Sequence, residues 1–335
     1  MTSIISSLTT AQIRSLSTTS IRALTTADMA AMSTAQVGAL TSTQINAMET
    51  QDIAALTMSA VSASAITGLR TDQIAALSSW LDNITTDQIK TLTTGVMAQL
   101  TSADIDNWNS AQVGALSAKQ ITAMDVTQLS SAQFGMLSST QIAAMGSTQI
   151  AALTSADISS WNSSQIAALA AKQIAALDLT QLSTAQAGML TTAQVAGLSG
   201  TQITALSSAQ IAAFSTAQIG ALSSAALGAL ASEDIATFDA ADITAISSKA
   251  LAGLSTANLS ALGSAQGAGL TTGQIGALSL AQVAVLTSDE ISAWDSTQVG
   301  ALSAKQIAAL DLTQLSSAQA GMLTTAQVAG LTSAQ

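Results

Sequence analysis

The chain of 335 residues contains no cysteine, histidine, proline or tyrosine, and aromatic residues make up only 2% of it. Without cysteine there is no disulfide framework, thiolate nucleophile or iron–sulfur ligand set. Without histidine the usual general base and the commonest transition-metal ligand are missing. Charge is scarce too: 8% of residues are charged, and 19 acidic against 8 basic side chains leave a net charge of −11. That sign is wrong for a surface that neutralises phosphates, so nucleic acid and anionic lipid are not expected partners. Long apolar runs are also lacking. Ser, Thr or Gln interrupts the sequence every few positions, so the mean hydropathy of +0.46 comes from evenly spread Ala, Leu and Ile, and no membrane-spanning helix is expected. The opening Met1-Thr2-Ser3-Ile4-Ile5 carries neither a basic region nor a continuous apolar stretch, so no cleaved secretory signal is expected. With so small an inventory of reactive groups, the chain is not expected to be an enzyme.

What fills the sequence is an eight-residue repeat, Leu-Ser/Thr-x-x-Gln-Ile/Val-x-x, as in Leu8-Thr9-Thr10-Ala11-Gln12-Ile13-Arg14-Ser15 before Leu16. From Leu190 the frame runs unbroken through Phe214, Phe238, Ile246, Leu270 and Trp294 to Leu310. Elsewhere it slips, near 56–69, 77–92, 124–137, 177–190 and 310–323, most clearly where a unit shortens to Met124-Asp125-Val126-Thr127-Gln128 before Leu129. A larger block carrying a tryptophan recurs around Trp108, Trp161 and Trp294. Insertions that respect the unit are what a stack of equivalent elements requires.

The spacing of the apolar positions decides the conformation. Leu and Ile alternate at five and three residues, which would carry the apolar stripe of one long helix round into water and would put the two on opposite faces of a strand. A short helix begun afresh in every octad fits instead. Leu8 takes the position before the cap, Thr9 the N-cap, Gln12 the third helical position and Ile13 the fourth, which is a capping box and a hydrophobic staple together. The same reading assigns Ser207 and Gln210 as cap and reciprocal partner, and likewise Asp311 and Gln314. Asp125, Asp178, Asp239 and Asp295 are further caps, and Asp28, Asp104, Asp157, Asp234, Asp242 and Glu290 stand at the third position, where the helix dipole favours negative charge. Leu8, Ile13, Trp108, Trp161 and Trp294 are the expected core staples.

A helix of about six residues is marginal alone, so the pieces must bury their staples against one another. The expected fold is an all-α solenoid or superhelix of short capped helices, one per eight-residue repeat, continuous over residues 1–335. A β-solenoid is the alternative. The number of octads in one turn is open, and the shortened units are expected at corners.

Several groups invite a chemical reading. The pairs Ser117/Lys119, Ser303/Lys305 and Ser248/Lys249 have the residue types of a nucleophile and base, but the lysines recur in copies of one block, at Lys119, Lys172 and Lys305, as a surface position. Glu233, Asp234, Asp239 and Asp242 are oxygen ligands of the kind calcium takes, although each is also explained as a cap or third-position residue. Gly263-Ser264-Ala265-Gln266-Gly267-Ala268-Gly269 lacks the Lys-Ser/Thr of a phosphate loop, and Gly267 merely replaces an Ile, which should weaken that octad. The tryptophans are core residues in this reading, with stacking on a glycan as the sharper alternative. No cofactor or metal is expected.

Leu8-Thr9-Thr10-Ala11-Gln12 and Leu323-Thr324-Thr325-Ala326-Gln327 match the LTxxQ motif of periplasmic chaperones, a likeness confined to a helix cap. The composition as a whole, acidic, Cys-free, Lys-poor and rich in Ala, Ser and Thr, resembles bacterial secreted and surface structural repeat proteins of the S-layer, fibre or adhesin type. That resemblance implies an extracellular or cell-surface location and export without a cleaved signal.

Both ends read as interior repeats: Ile5 and Leu8 keep the three-residue spacing, and Leu331 to Gln335 is half of another octad. Solenoids that stay monomeric protect their ends with polar caps. The expected role is therefore a structural protein that assembles with itself, head to tail or laterally, through Ile5, Leu8, Leu331 and Gln335, into a filament, sheath or surface layer. The alternative is an adhesin or scaffold module that binds a glycan or protein on its long face.

Overall fold

A computed structural model describes residues 4–333 and 335. Among these residues there are 37 short α-helices, six 3-10 turns and no strand, so the chain is an α-solenoid and the β-solenoid alternative falls away. The structure divides into two compact units, residues 1–169 and 170–335, and the same octad builds both.

Each octad folds in the same way. In the first, Thr9 takes an extended conformation and its hydroxyl accepts the Gln12 amide, while Gln12 Oε1 accepts the Thr9 amide at 2.8 Å. The helix Thr10–Ser15 then ends at Leu16, with φ −60° and ψ 134°, and the next cap, Ser17, is extended as well. Two consecutive extended residues thus make this corner, and the same pair recurs at Met48-Glu49 and Leu137-Ser138. No described residue has a positive φ, which explains how the chain reverses repeatedly without relying on glycine at its turns. The Leu and Ile of the staple point inward: Ile13, Ile45, Ile142, Ile211 and Ile275 are fully buried.

Within the first unit, helix Thr10–Ser15 packs on Thr34–Gly38 and Thr18–Arg22 on Ser42–Ala47. Each helix therefore meets the third one after it, and a turn has three sides and 24 residues. In the second unit Thr216–Gly220 packs on Ala240–Ala245 and Ser264–Ala268 on Ser288–Ile291 by the same rule.

The shortened units are not corners. Val126–Gln128, Leu179–Gln181 and Leu312–Gln314 are 3-10 turns, and each forms a whole side. Helix Ser110–Gly114 packs on Ser131–Met136 across one helix and one such turn, as Ala304–Ala309 does on Thr325–Ala329. A five-residue side shortens the turn to 21 residues and leaves it three-sided, because a 3-10 turn spans a side with fewer residues than a helix.

Where helices approach most closely, glycine is required. A Cβ on Gly253 would lie 2.1 Å from the Ser224 carbonyl oxygen, and one on Gly267 would lie 1.8 Å from that of Glu290. Gly267 therefore admits the backbone of the next turn where an Ile would block it.

Candidate functional site

The groups that repeat most faithfully lie between successive turns. The glutamine at the third helical position does two jobs. Its Oε1 closes the capping box, and its Nε2 reaches the turn below. Gln36 donates to the carbonyls of Ile5 and Leu8, both at 2.8 Å, and Gln44 to those of Ile13 at 2.8 Å and Leu16 at 2.9 Å. In the second unit Gln274 donates to Ile243 at 2.6 Å and Ile246 at 2.7 Å, and Gln306 to Ile275 and Leu278. The acceptors stand 31 and 28 residues earlier in a full turn and 28 and 25 earlier across a short unit, as for Gln141 on Val113 and Leu116. These carbonyls lie at a helix end, where regular helical partners run out, and the first of each pair also accepts the amide three residues on, as Ile13 does from Leu16 at 3.2 Å. One amide thus satisfies the start of its own helix and the end of a helix in the turn below.

Tryptophan changes the pattern in a regular way. Trp108, Trp161 and Trp294 are buried at Leu positions, and their indole nitrogens donate to Leu81 at 2.9 Å, Phe134 at 3.3 Å and Gly267 at 3.0 Å, each 27 residues earlier. The glutamine that follows reaches the other carbonyl: Gln112 bonds Ile84 and Gln298 bonds Leu270. The indole takes over the acceptor that a glutamine binds elsewhere. With ring and nitrogen both engaged inside, these three tryptophans have no face free to stack on a glycan.

Acids at the third position still close the box but cannot donate. Asp28 Oδ2 accepts from Thr25, and Asp104 Oδ2 from Thr101. Their other contacts run the opposite way: Asp52 Oδ1 accepts the Thr26 hydroxyl at 2.8 Å and Asp157 Oδ1 that of Ser131 at 3.3 Å. Glu290 is fully buried, and its Oε1 has no partner.

The remaining sequence candidates find ordinary places. Ser117 and Ser303 cap their helices and donate to Gln120 and Gln306, both at 2.8 Å, while Lys119 and Lys305 are exposed. Ser248 opens the helix Ser248–Leu251, and Lys249 is exposed. Ser207 and Gln210 form a capping box. Asp311 accepts the Thr313 amide at 3.0 Å, but Gln314 stands in a 3-10 turn: its Oε1 accepts the Ser288 amide 26 residues earlier, and its Nε2 turns to Asp311. Asp234 and Asp242 close boxes on Ala231 and Asp239, and no group of three or more His, Cys, Asp or Glu suited to a metal ion occurs among the described residues.

At the first and last described turns the staples are less covered. Leu8, Leu16, Leu24, Leu315, Leu323 and Leu331 are half-buried, and Gln12 is exposed. Ile5 is buried, with its carbonyl bound by Gln36, and the exposed neighbour is Ile4. Gln335 donates to Ile307 and Leu310, both at 3.0 Å, as an interior glutamine does.

Two features escape a reading by octads. The second role of glutamine is one, although the sequence signals it: in an acidic chain whose helix dipoles favour Glu at the third position, Glu stands there only at 290. A donor was needed. The other is Trp80, hidden by the seven-residue unit from Leu77 to Asn83.

A family model described as the ALTTAQ repeat matches residues 21–58, 124–155, 142–179, 200–232 and 235–272. Within the first match Ala23-Leu24-Thr25-Thr26-Ala27-Asp28 keeps the pattern with Asp in place of Gln. No curated protein matches the chain.

Proposed function

We propose that this tandem-repeat protein is structural and assembles with copies of itself. The carrying observation is the two-sided chemistry of a turn. Amide donors of the glutamines face one axial direction, and helix-end carbonyls face the other. Any turn is therefore complementary to the opposite face of an equivalent turn, whether that turn belongs to the same chain or to a second copy. Such a contact joins unlike faces and propagates as a filament unless rotation closes it.

The half-buried Leu315, Leu323 and Leu331, with Val328 51% exposed, supply apolar area for that contact in the second unit, and Leu8, Leu16 and Leu24 supply it in the first.

In this reading the protein is not an enzyme, and its location is extracellular or at a bacterial cell surface, in a filament, sheath or layer. The acidic, cysteine-free composition supports that placement, and no described helix is long and apolar enough to cross a membrane. Sedimentation velocity over a wide concentration range, with negative-stain microscopy of the same samples, tests it. Species that lengthen with concentration are expected. A monodisperse monomer throughout overturns the proposal.

A further inference from the structure

The seven-residue unit from Leu77 to Asn83 puts Trp80 where other units carry the bridging glutamine. We propose that this departure creates a binding site for one ring of a neutral sugar or similar polyol, independent of assembly between turns.

Four observations meet here. First, Trp80 is 7% exposed, and its indole N–H is buried with no partner. The other three tryptophans each bond a carbonyl, and an unmatched buried donor costs about 1–3 kcal/mol. Second, a cavity of about 230 Å³ opens against Trp80, between the 3-10 turn Met58–Ala60 and the helix Ser78–Leu81. That is below the roughly 300–1,000 Å³ of sites for drug-sized molecules and limits the occupant to about one ring. Third, the cavity has an apolar floor and a polar rim. Met58 and Trp80 are buried, whereas Thr57, Ser59, Ser79 and Asn83 are exposed. Thr57 stands at an N-cap but makes no capping bond. Fourth, no charged residue lines the cavity, so an ionic ligand would find no counter-charge.

An indole and a thioether below, with hydroxyls and a carboxamide around, suit a molecule with an apolar ring face and a hydroxylated edge. The Trp80 N–H has no protein acceptor but is closed to solvent in the free chain, so pairing it with a ring hydroxyl requires a small opening on binding.

The full chain should be titrated with glucose, galactose, mannose and N-acetylglucosamine, with binding followed by saturation-transfer NMR and calorimetry. Saturable binding of at least one is expected. Asn83→Ala combined with Ser79→Ala should weaken it about tenfold or more. Trp80→Phe, which keeps the ring but removes the unmatched N–H, should weaken binding without lowering the melting temperature. Trp108→Phe should leave affinity unchanged. Failure of all four sugars to saturate overturns the proposal, as does binding that survives both the double variant and Trp80→Phe.

Discussion

The side-chain nitrogen of Gln274 lies 2.7 Å from the carbonyl oxygen of Ile246, 28 residues earlier in the sequence. It lies one turn above it in the fold. Because Gln274 stands four residues after its own Leu270, the offset places Ile246 three octads below Leu270, and this one contact defines the turn. Gln274 is almost fully buried, so the donor and both of its acceptors depend on one another.

Exchanging amide and carboxylate at this position should move stability in opposite directions. Gln274→Glu keeps the oxygen that closes the capping box but faces the carbonyls of Ile243 and Ile246 with a second oxygen. A loss of about 1–3 kcal/mol or more is expected from chemical denaturation. Glu290→Gln supplies a donor where Oε1 now has no partner, and a gain of about 1 kcal/mol is expected. A destabilised Glu290→Gln would show that the position does not face helix-end carbonyls.

Trp294 should be sensitive to its nitrogen as well as its size. Trp294→Phe retains an aromatic ring but leaves the buried Gly267 carbonyl without its indole donor. About 0.5–1.5 kcal/mol should be lost beyond the reduction in packing, because that carbonyl still accepts the Leu270 amide at 3.1 Å. Trp80→Phe provides the contrast, because no bond to that nitrogen exists to be lost. Equal losses in the two melts would contradict the assignment.

Two glycine substitutions should differ in sign. Gly300 closes the helix Ser296–Gly300 with nothing within 4 Å of an added Cβ, whereas Gly253 would push a Cβ to 2.1 Å from the Ser224 carbonyl. Gly300→Ala should stabilise by about 0.4–1 kcal/mol through the lower entropy of the unfolded chain. Gly253→Ala should destabilise by several times that, since backbone must shift. Thermal melts of the two variants decide the point.

Stability should fall in acid for a definable reason. The Thr127 hydroxyl bonded to Asp125 holds that carboxyl below its ordinary pKa, and Thr180, Thr297 and Thr313 do the same for Asp178, Asp295 and Asp311. A carboxylate whose pKa is depressed by folding contributes stability above its unfolded value of about 3.9. That contribution is lost as pH falls through the folded value. The melting temperature should thus hold from neutrality to about pH 5 and decline below about pH 4. The variant Asp125→Asn, Asp178→Asn, Asp311→Asn keeps caps that do not titrate, so its acid decline should be shallower. An identical decline would remove these caps from the explanation.

The local half of the fold was legible in the sequence because its causes are local. Thr9, Gln12, Leu8 and Ile13 lie within six residues, and their spacing specifies a cap and a staple without reference to anything distant. The three-sided turn was not legible in the same way. It depends on where Gln36 meets Ile5 and Leu8, and no property of one octad encodes how the next is inclined to it. The preference for Gln over Glu was the visible trace of that contact. Trp80 stayed hidden because a seven-residue unit shifts it out of the position that the repeat assigns to glutamine.

The three-sided turn is tested most directly by cross-linking, which the absence of native cysteine makes free of background. A Cβ on Gly200 would lie 3.3 Å from the Ala229 Cβ. A movement of a few tenths of an ångström reaches the roughly 3.5–4.5 Å of a disulfide. Gly200→Cys with Ala229→Cys should therefore oxidise readily to an intramolecular bridge in the native protein, while Gly200→Cys with Ala221→Cys, one octad nearer in sequence, should not. Efficient bridging of the 200/221 pair, with none for 200/229, would contradict a turn of three octads.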